Sequence, residues 1–429
     1  MAQSMSDVLN ANLQTVRKDV MPQFFELSTT ASARILKGIE KHQITRTPGS
    51  QDFRAPIKVA NTAVYGGYNP AGGSLGLGGS FQVQQLLQTY FDSKLGFEVN
   101  YDTSSGTQNA GQSVVNALRE ALKTAPDLYS AYDDKSWHSI GGSQGIVAQG
   151  VSLSSLTLTL SSAFGADLLL PGMSVNVFDT SLATWRTSAA DAAGTLPTIV
   201  AMDKTGRTAT LSGAVSGLAA TDKLAFPGVT ATPTWMNGLY YVNDGATSGT
   251  YLGLNRATYP EVVSNVFNTG ASLSATDGLI VKDRIAKRRL GTNPIGLVGL
   301  ANTSQRAAIL KLGIAISEWQ RGKNDAMIDI LPALDSPITY CGSTIILDVH
   351  QDNTRIDFVA PKTWGRVYRD KPQPDFYPNS AGGYMHDKRD TVGGIAAALL
   401  FYMVSSHNYY NIDPGSNGAI TGLTLPAGY

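Results

Sequence analysis

The chain holds one cysteine, Cys341, in 429 residues. A single thiol forms no internal disulfide and builds no Cys-rich zinc site, so its expected role is small buried filler. Charge is scarce as well. Asp, Glu, Lys and Arg make up 15% of residues, against about a quarter in an average soluble chain. Neither sign is in excess: 33 basic and 33 acidic residues give a formal net charge of zero. That balance argues against a dedicated nucleic-acid binder, which needs a basic footprint, and it gives no charge-based protection from association. Long hydrophobic runs are missing. The most apolar stretch, Ile395 to Val404, is too short to span a bilayer. Met1 to Leu9 lacks the basic region and apolar core of a secretory signal. These readings place the chain in a reducing, aqueous compartment. A hydrophobic content of 42% still supports real cores across two or three domains. So sparsely charged an exterior suits a protein that buries much of its outside against copies of itself.

Catalytic signatures are absent too. There is no Gly-x-Ser-x-Gly elbow and no His-Glu-x-x-His helix. The five histidines, His42, His138, His350, His386 and His407, are scattered. His350-Gln351-Asp352 comes nearest to a metal pair, but satisfied core or surface histidines are the expected reading. Asp133-Asp134 offers two carboxylates for acid–base work, yet adjacent acids at a helix end are expected to be solvated. Gly76, Gly78 and Gly79 fit no dinucleotide fingerprint, and no Gly-Lys-Ser/Thr follows them. No enzyme activity, cofactor or metal is expected.

What the chain does have is a long period-two stretch. From Phe81 the odd positions read Phe81, Val83, Gln85, Leu87, Thr89, Phe91, Ser93, Leu95, Phe97, Val99 and Tyr101, while the even positions are mostly polar. Such alternation gives a strand one apolar and one wet face. An earlier run, Phe53 to Tyr65, alternates less cleanly, and between the two lies the Gly-dense segment Gly66 to Ser80, suited to a loop tip. The reading is a two-stranded ribbon. At about 3.3 Å per residue the return run reaches roughly 70 Å and the paired part roughly 43 Å. A compact body of this length has a radius of gyration of about 22 Å. The ribbon therefore projects, and because two strands alone are marginal in water, its apolar face calls for a neighbouring subunit. The plain alternative is a hairpin folded flat on its own core.

Around the ribbon, Met1 to about Lys41 carries helical spacing interrupted by Pro22. A helix runs from Thr107 to about Tyr132, with Pro126 kinking or ending its first half. From Gly141 to about Gly228 charge falls and short β-runs appear at Leu156–Leu160, Met173–Phe178, Thr198–Met202 and Ala209–Leu211, reading as a small all-β insertion. Helices follow near Thr276–Leu290 and Thr303–Arg321, with strands near Ser343–Val349, Arg355–Ala360 and Ala396–Val404. Tyr377 to Asp390 reads as a polar loop. The cluster Arg284, Lys287, Arg288 and Arg289 either faces a genome or a neighbour's carboxylates or is an exposed helix face with an Asp283–Lys287 pair; the residues leave both open.

The order of elements resembles the major capsid proteins of tailed bacteriophages. So does the motif Gly238-Leu239-Tyr240-Tyr241-Val242-Asn243-Asp244-Gly245 with the following Tyr251-Leu252-Gly253-Leu254-Asn255-Arg256, and so do the insertion phrases Leu170-Pro171-Gly172-Met173 and Thr210-Leu211-Ser212-Gly213. The resemblance implies an α+β capsid fold with a long E-loop hairpin, spine helix, P-domain and A-domain, plus an all-β insertion domain. It divides the chain into an N-terminal arm (1–50), E-loop ribbon (51–103), spine helix (104–140), insertion (141–230) and the A-domain with the remaining P-domain (231–429). Inter-subunit contacts then fall on Tyr65, Tyr68, Leu75, Leu77, Phe81, Val83, Leu87 and Phe91. The candidate P-loop carries Tyr384, His386, Lys388 and Arg389. Implied partners are further copies in hexamers and pentamers, scaffolding, portal and decoration proteins, and packaged double-stranded DNA held without sequence-specific contact; no membrane is involved. The implied location is the virion, after assembly in the host cytoplasm. The tip has no lysine, and only Lys58 and Lys94 sit on its strands, so covalent cross-linking is not expected. The alternatives are a cellular nanocompartment shell of like fold, or a carbohydrate-binding β-protein stacking sugars on Trp235, Tyr240 and Tyr241.

Overall fold

The computed structural model describes residues 44–46, 52–61, 81–100, 236–288, 296–321, 338–348, 350–369, 375–378, 386–389 and 395–426, with parts of 125–138 and 150–225. The expected N-terminal helices, the Gly-rich tip with Tyr65, Tyr68, Leu75 and Leu77, most of the expected spine helix, Trp235, Arg289 and Tyr384 lie outside the described residues.

In chain order, strands β1 (Ile44–Arg46), β2 (Asp52–Asn61), β3 (Phe81–Thr89) and β4 (Phe91–Asn100) precede helical residues at 125, 128–130, 133–134 and 136–137. The insertion supplies β5 to β10 (Gly150–Ser154, Thr157–Leu160, Asn176–Phe178, Ile199–Asp203, Thr208–Leu211 and Lys223–Ala225). Then come helix α1 (Leu239–Val242), the pair β11 (Thr250–Tyr251) and β12 (Leu254–Asn255), β13 (Asn265–Asn268), helix α2 (Asp277–Arg288), β14 (Val298–Ala301) and helix α3 (Thr303–Arg321). The chain closes with β15 to β19 (Ile338–Tyr340, Ser343–Leu347, Ile356–Val359, Trp364–Tyr368 and Asp375–Phe376), β20 (His386–Arg389), β21 (Ile395–Asn411) and β22 (Gly418–Thr421). The architecture is α+β with strands predominating. Among the described residues no helix is long and apolar enough to cross a membrane.

One six-stranded sheet, in the order β13-β22-β17-β14-β16-β15, carries α2 and α3. Its core is Ile345, Ile356, Phe358 and Ile420, with Val281 and Ile285 of α2 packed against them. The start of α2 is tied down locally: the Ser274 hydroxyl donates to Asp277 at 2.6 Å and the Ser274 N–H donates to the same carboxylate at 2.8 Å. Lys287 and Arg288 occupy its last turn, where the helix dipole favours cations. The helix lies so close to β22 that a Cβ on Gly418 would stand 2.5 Å from Val281. The second sheet is built on β21, whose 17 residues pair with β18, β19, β20 and β4. β1 adds to β18 in parallel. His386–Arg389 is thus a strand with a register irregularity, not the loop expected across Tyr377 to Asp390. The insertion forms a four-stranded sheet and a two-stranded pair around its own core of Leu158, Leu169, Val175, Val177, Ile199, Ala209, Leu211 and Val215.

Cys341 is not the buried filler expected. It sits half-buried at the turn between β15 and β16 with a φ of 48°, followed by Gly342 at 73°. Two left-handed residues in sequence close this tight hairpin.

Candidate functional site

β2 and β3 pair antiparallel over their length, with Arg54 opposite Leu87, Ala55 opposite Leu86 and Lys58 opposite Val83. Ala55, Ile57 and Leu86 are buried in the main core, while Arg54, Pro56, Val83, Gln85 and Leu87 are exposed. The ribbon therefore lays one face on its own chain and turns the other outward. Its ten-residue strand β2 spans about 33 Å, and residues 62–65, the remainder of the run expected to pair, lie outside the described residues. At Tyr90 the ladder changes partner, and β4 pairs with β21 from Phe91 opposite His407 to Asn100 opposite Ala398.

That change of partner also reverses which face is covered. Tyr90 and Phe91 are consecutive and both buried, which breaks the period of two. Before them the odd positions face solvent: Val83 is 59% exposed and Leu87 42%. After them the odd position Phe91 is buried and Ser93 and Leu95 are half-buried, while Asp92 and Lys94 are exposed. One continuous apolar stripe is thus divided. Its later half covers this chain's own sheet, and on its earlier half Val83 and Leu87 stay largely exposed. Phe91, expected among inter-subunit contacts, is buried in this chain's own core with Trp137, Trp364 and Tyr409. Phe81 heads β3 opposite Asn61.

The seat of the ribbon is made by the two motifs singled out in the sequence. Gly238–Asp244 contains the single turn α1, and Tyr251–Arg256 contains the β11–β12 hairpin. Arg256 locks them together: its guanidinium lies 5.6 Å from the Tyr241 ring and 5.7 Å from the Tyr251 ring, and it meets Asp244 at 2.5 Å. The hairpin turn at Leu252 (φ 46°) and Gly253 (φ 86°) then presents the Leu252 carbonyl, which accepts the Leu87 N–H at 2.9 Å. Tyr240 is buried beneath Arg355, 4.3 Å from its ring, and Tyr241 stacks on Tyr251. These tyrosines hold the seat and form no open sugar-stacking platform.

Of the basic cluster, Arg284 donates to the Val266 carbonyl at 2.5 Å, Arg288 donates to the carbonyls of Pro260 and Val263, and Lys287 pairs with Asp283 at 2.6 Å. All three are exposed, yet each already has a partner in its own domain. His386 stacks on Tyr377 and meets Tyr402 edge-on at the β20–β21 ladder. Lys388 and Arg389 continue that strand.

The acids Asp133 and Asp134 are not solvated as expected. Asp133 receives His407 Nε2 at 2.8 Å and the Tyr409 hydroxyl at 3.4 Å. Asp134 lies 3.5 Å from His350 Nε2, and its carbonyl accepts His138 Nδ1–H at 2.9 Å. His138 Nε2 in turn meets Asp348 at 2.8 Å. With the Tyr129–Ser93 hydroxyl contact, these pairs rivet Tyr129, Asp133, Asp134 and His138 to β4, β21 and the end of β16. Burial alone would lower the His138 pKa, but Asp348 and Asp134 outweigh it and raise it to about 9. Burial, together with the nearby Arg366, keeps His407 below its ordinary value despite Asp133. Burial would raise Asp133, yet His407 and Arg366 hold it below the usual carboxylate range. Partners 210 and 274 residues apart in sequence leave no local signal by which to find this belt.

No protein-family model matches the chain, and no curated protein sequence matches it. Among solved structures it is similar to the cyanophage A-1(L) capsid asymmetric unit, at 12% identity and a TM-score of 0.47, covering 93% of this chain and 95% of that one. It is also similar to the satellite phage P4 procapsid that includes the size determination protein, at 11% identity and a TM-score of 0.41 over 99% of both chains. A third is the capsid of the native GTA particle, at 11% identity and a TM-score of 0.41, covering 93% of this chain and 92% of that one.

Proposed function

We propose that this chain is the major capsid protein of a tailed bacteriophage, a structural subunit that assembles as hexamers and pentamers into an icosahedral shell around double-stranded DNA. The observation that carries the reading is the divided stripe: Val83 and Leu87 face outward on a ribbon whose other face and root are fixed to the parent chain. A fixed root aims the exposed face, and an identical molecule supplies the cover. Interfaces of about 2,000–5,000 Å² are typical of permanent assemblies, and a surface with 15% charged residues suits burial on that scale. The partnered state of Arg284, Lys287 and Arg288, with zero net charge, suits a shell that contains DNA without reading it. Scaffolding, portal and decoration proteins complete the proposed partners, and the virion is the proposed location.

Electron microscopy of the purified protein tests the reading. Rings or closed shells are expected, alone or with a scaffold. A monodisperse monomer at high concentration that no scaffold converts would overturn it. The nanocompartment alternative shares the fold, and packaged enzyme in place of nucleic acid is the result that would favour it.

A further inference from the structure

We propose that Asp134, His138, Asp348 and His350 form a site for a tetrahedrally coordinated divalent cation of the zinc class, although the sequence alone led to no metal being expected. One ligand atom from each of Asp134, His138 and Asp348 lies within 4.8 Å of the other two, and all three residues are buried. His350 lies outside that group of three, but its Nε2 stands 3.5 Å from the Asp134 carboxylate, near enough to close in as a second nitrogen. Zinc held at about 2.0–2.2 Å from nitrogen and oxygen donors keeps those donors roughly 3.3–3.5 Å apart. Among Asp134, His138 and Asp348 the 2.8 Å His138–Asp348 separation and the 4.8 Å ceiling bracket that spacing, and His350 reaches the group through Asp134 at 3.5 Å.

The chain sets the donors in place. Asp134 and His138 are four apart in helical residues and share a face. Asp348 and His350 flank the turn after β16, where the His350 N–H donates to Asp348 Oδ1 at 3.0 Å and leaves Oδ2 for the site. The Asp134 carbonyl accepts His138 Nδ1–H, which turns Nε2 inward. Metal-bound histidines are usually oriented by this kind of outer partner. Two imidazoles and two carboxylates with no thiolate suit zinc in a four-coordinate site. A doubly charged cation balances two buried carboxylates, and in a dry interior unbalanced charge is costly. The bound ion clamps the helical segment to the end of β16.

The test uses the full chain, stripped with chelator and titrated with Zn²⁺ or Co²⁺ alone. About one ion per chain is expected, with intense visible cobalt absorption of the tetrahedral type and a thermal midpoint raised by zinc and restored by chelator. His138→Gln and His350→Gln should each weaken uptake by at least the about 10–100-fold that loss of an outer-shell partner costs, while His386→Gln, far from the site in sequence and sheet, leaves it unchanged. Should His138→Gln fail to fold, the wild-type titration and His350→Gln decide alone. Folded wild-type protein that takes up no stoichiometric ion, or variants binding as tightly as wild type, overturns the proposal in favour of metal-free histidine–carboxylate pairs.

Discussion

The outward half of the stripe yields a quantitative prediction. Fully burying a valine or leucine side chain stabilises by about 1.5–3 kcal/mol. With 59% of Val83 and 42% of Leu87 still in water, covering them contributes about 1 kcal/mol each, so about 2 kcal/mol per ribbon. Replacing both by threonine puts β-branched residues of good strand propensity at both positions and removes most of that gain. At tenfold per 1.4 kcal/mol, each contact weakens about 25-fold. The concentration at which shells appear, followed by sedimentation velocity and negative-stain microscopy, should rise by at least this factor. The thermal midpoint of the unassembled subunit should stay within the about 0.5 kcal/mol typical of surface changes. Phe91→Ala, on the inward half, should do the opposite: a loss of about 3–5 kcal/mol in subunit stability from a core cavity. A Val83→Thr/Leu87→Thr subunit that closes shells at the wild-type concentration would refute the assignment of this face to a neighbour.

Three further outcomes follow from the interior. A Cβ on Gly365 would lie 2.3 Å from Cζ of the buried Tyr410 across the β18–β21 ladder, so Gly365→Ala should cost about 1–3 kcal/mol by overpacking, read from urea midpoints. Asp357, fully buried, accepts from Arg355 at 2.6 Å and 2.8 Å and from Asn243 at 2.9 Å; Asp357→Ala leaves a half-buried guanidinium and a buried amide without their carboxylate and should cost about 2–4 kcal/mol in the same assay. His407, faced by Asp133, Arg366, Ser405 and Tyr409, has a folded pKa below its ordinary 6.5. The unfolded chain therefore binds the proton more readily, so this contribution to stability is full above about pH 6.5 and is lost as pH falls below it. Thermal midpoints of His407→Gln should fall less steeply than wild type between pH 7 and pH 5, and equal slopes would exclude the role.

Short-range pattern determined a good deal of this protein. The spacing of Val281 and Ile285, with Ser274 and Asp277 ahead of them, marks α2. The Thr303–Arg321 helix, the insertion strands and the alternation on both sides of the glycine-rich tip are likewise local, because burial periodicity and capping act within a few residues. Which face of a strand is covered is not local. Phe81 to Tyr101 reads as one uniform stripe, and only the change of partner at Tyr90, where β21 arrives from 300 residues later, decides that Val83 looks out while Phe91 looks in. The same holds for Asp133 and Asp134. Their neighbours in sequence say helix end and water, but His407 and His350 reach them, and Asp348 reaches the adjacent His138, only once both sheets have formed. Hydrophobic pattern specifies an element and its wet and dry sides, whereas the partner that dries a side is chosen by the closing of the whole chain.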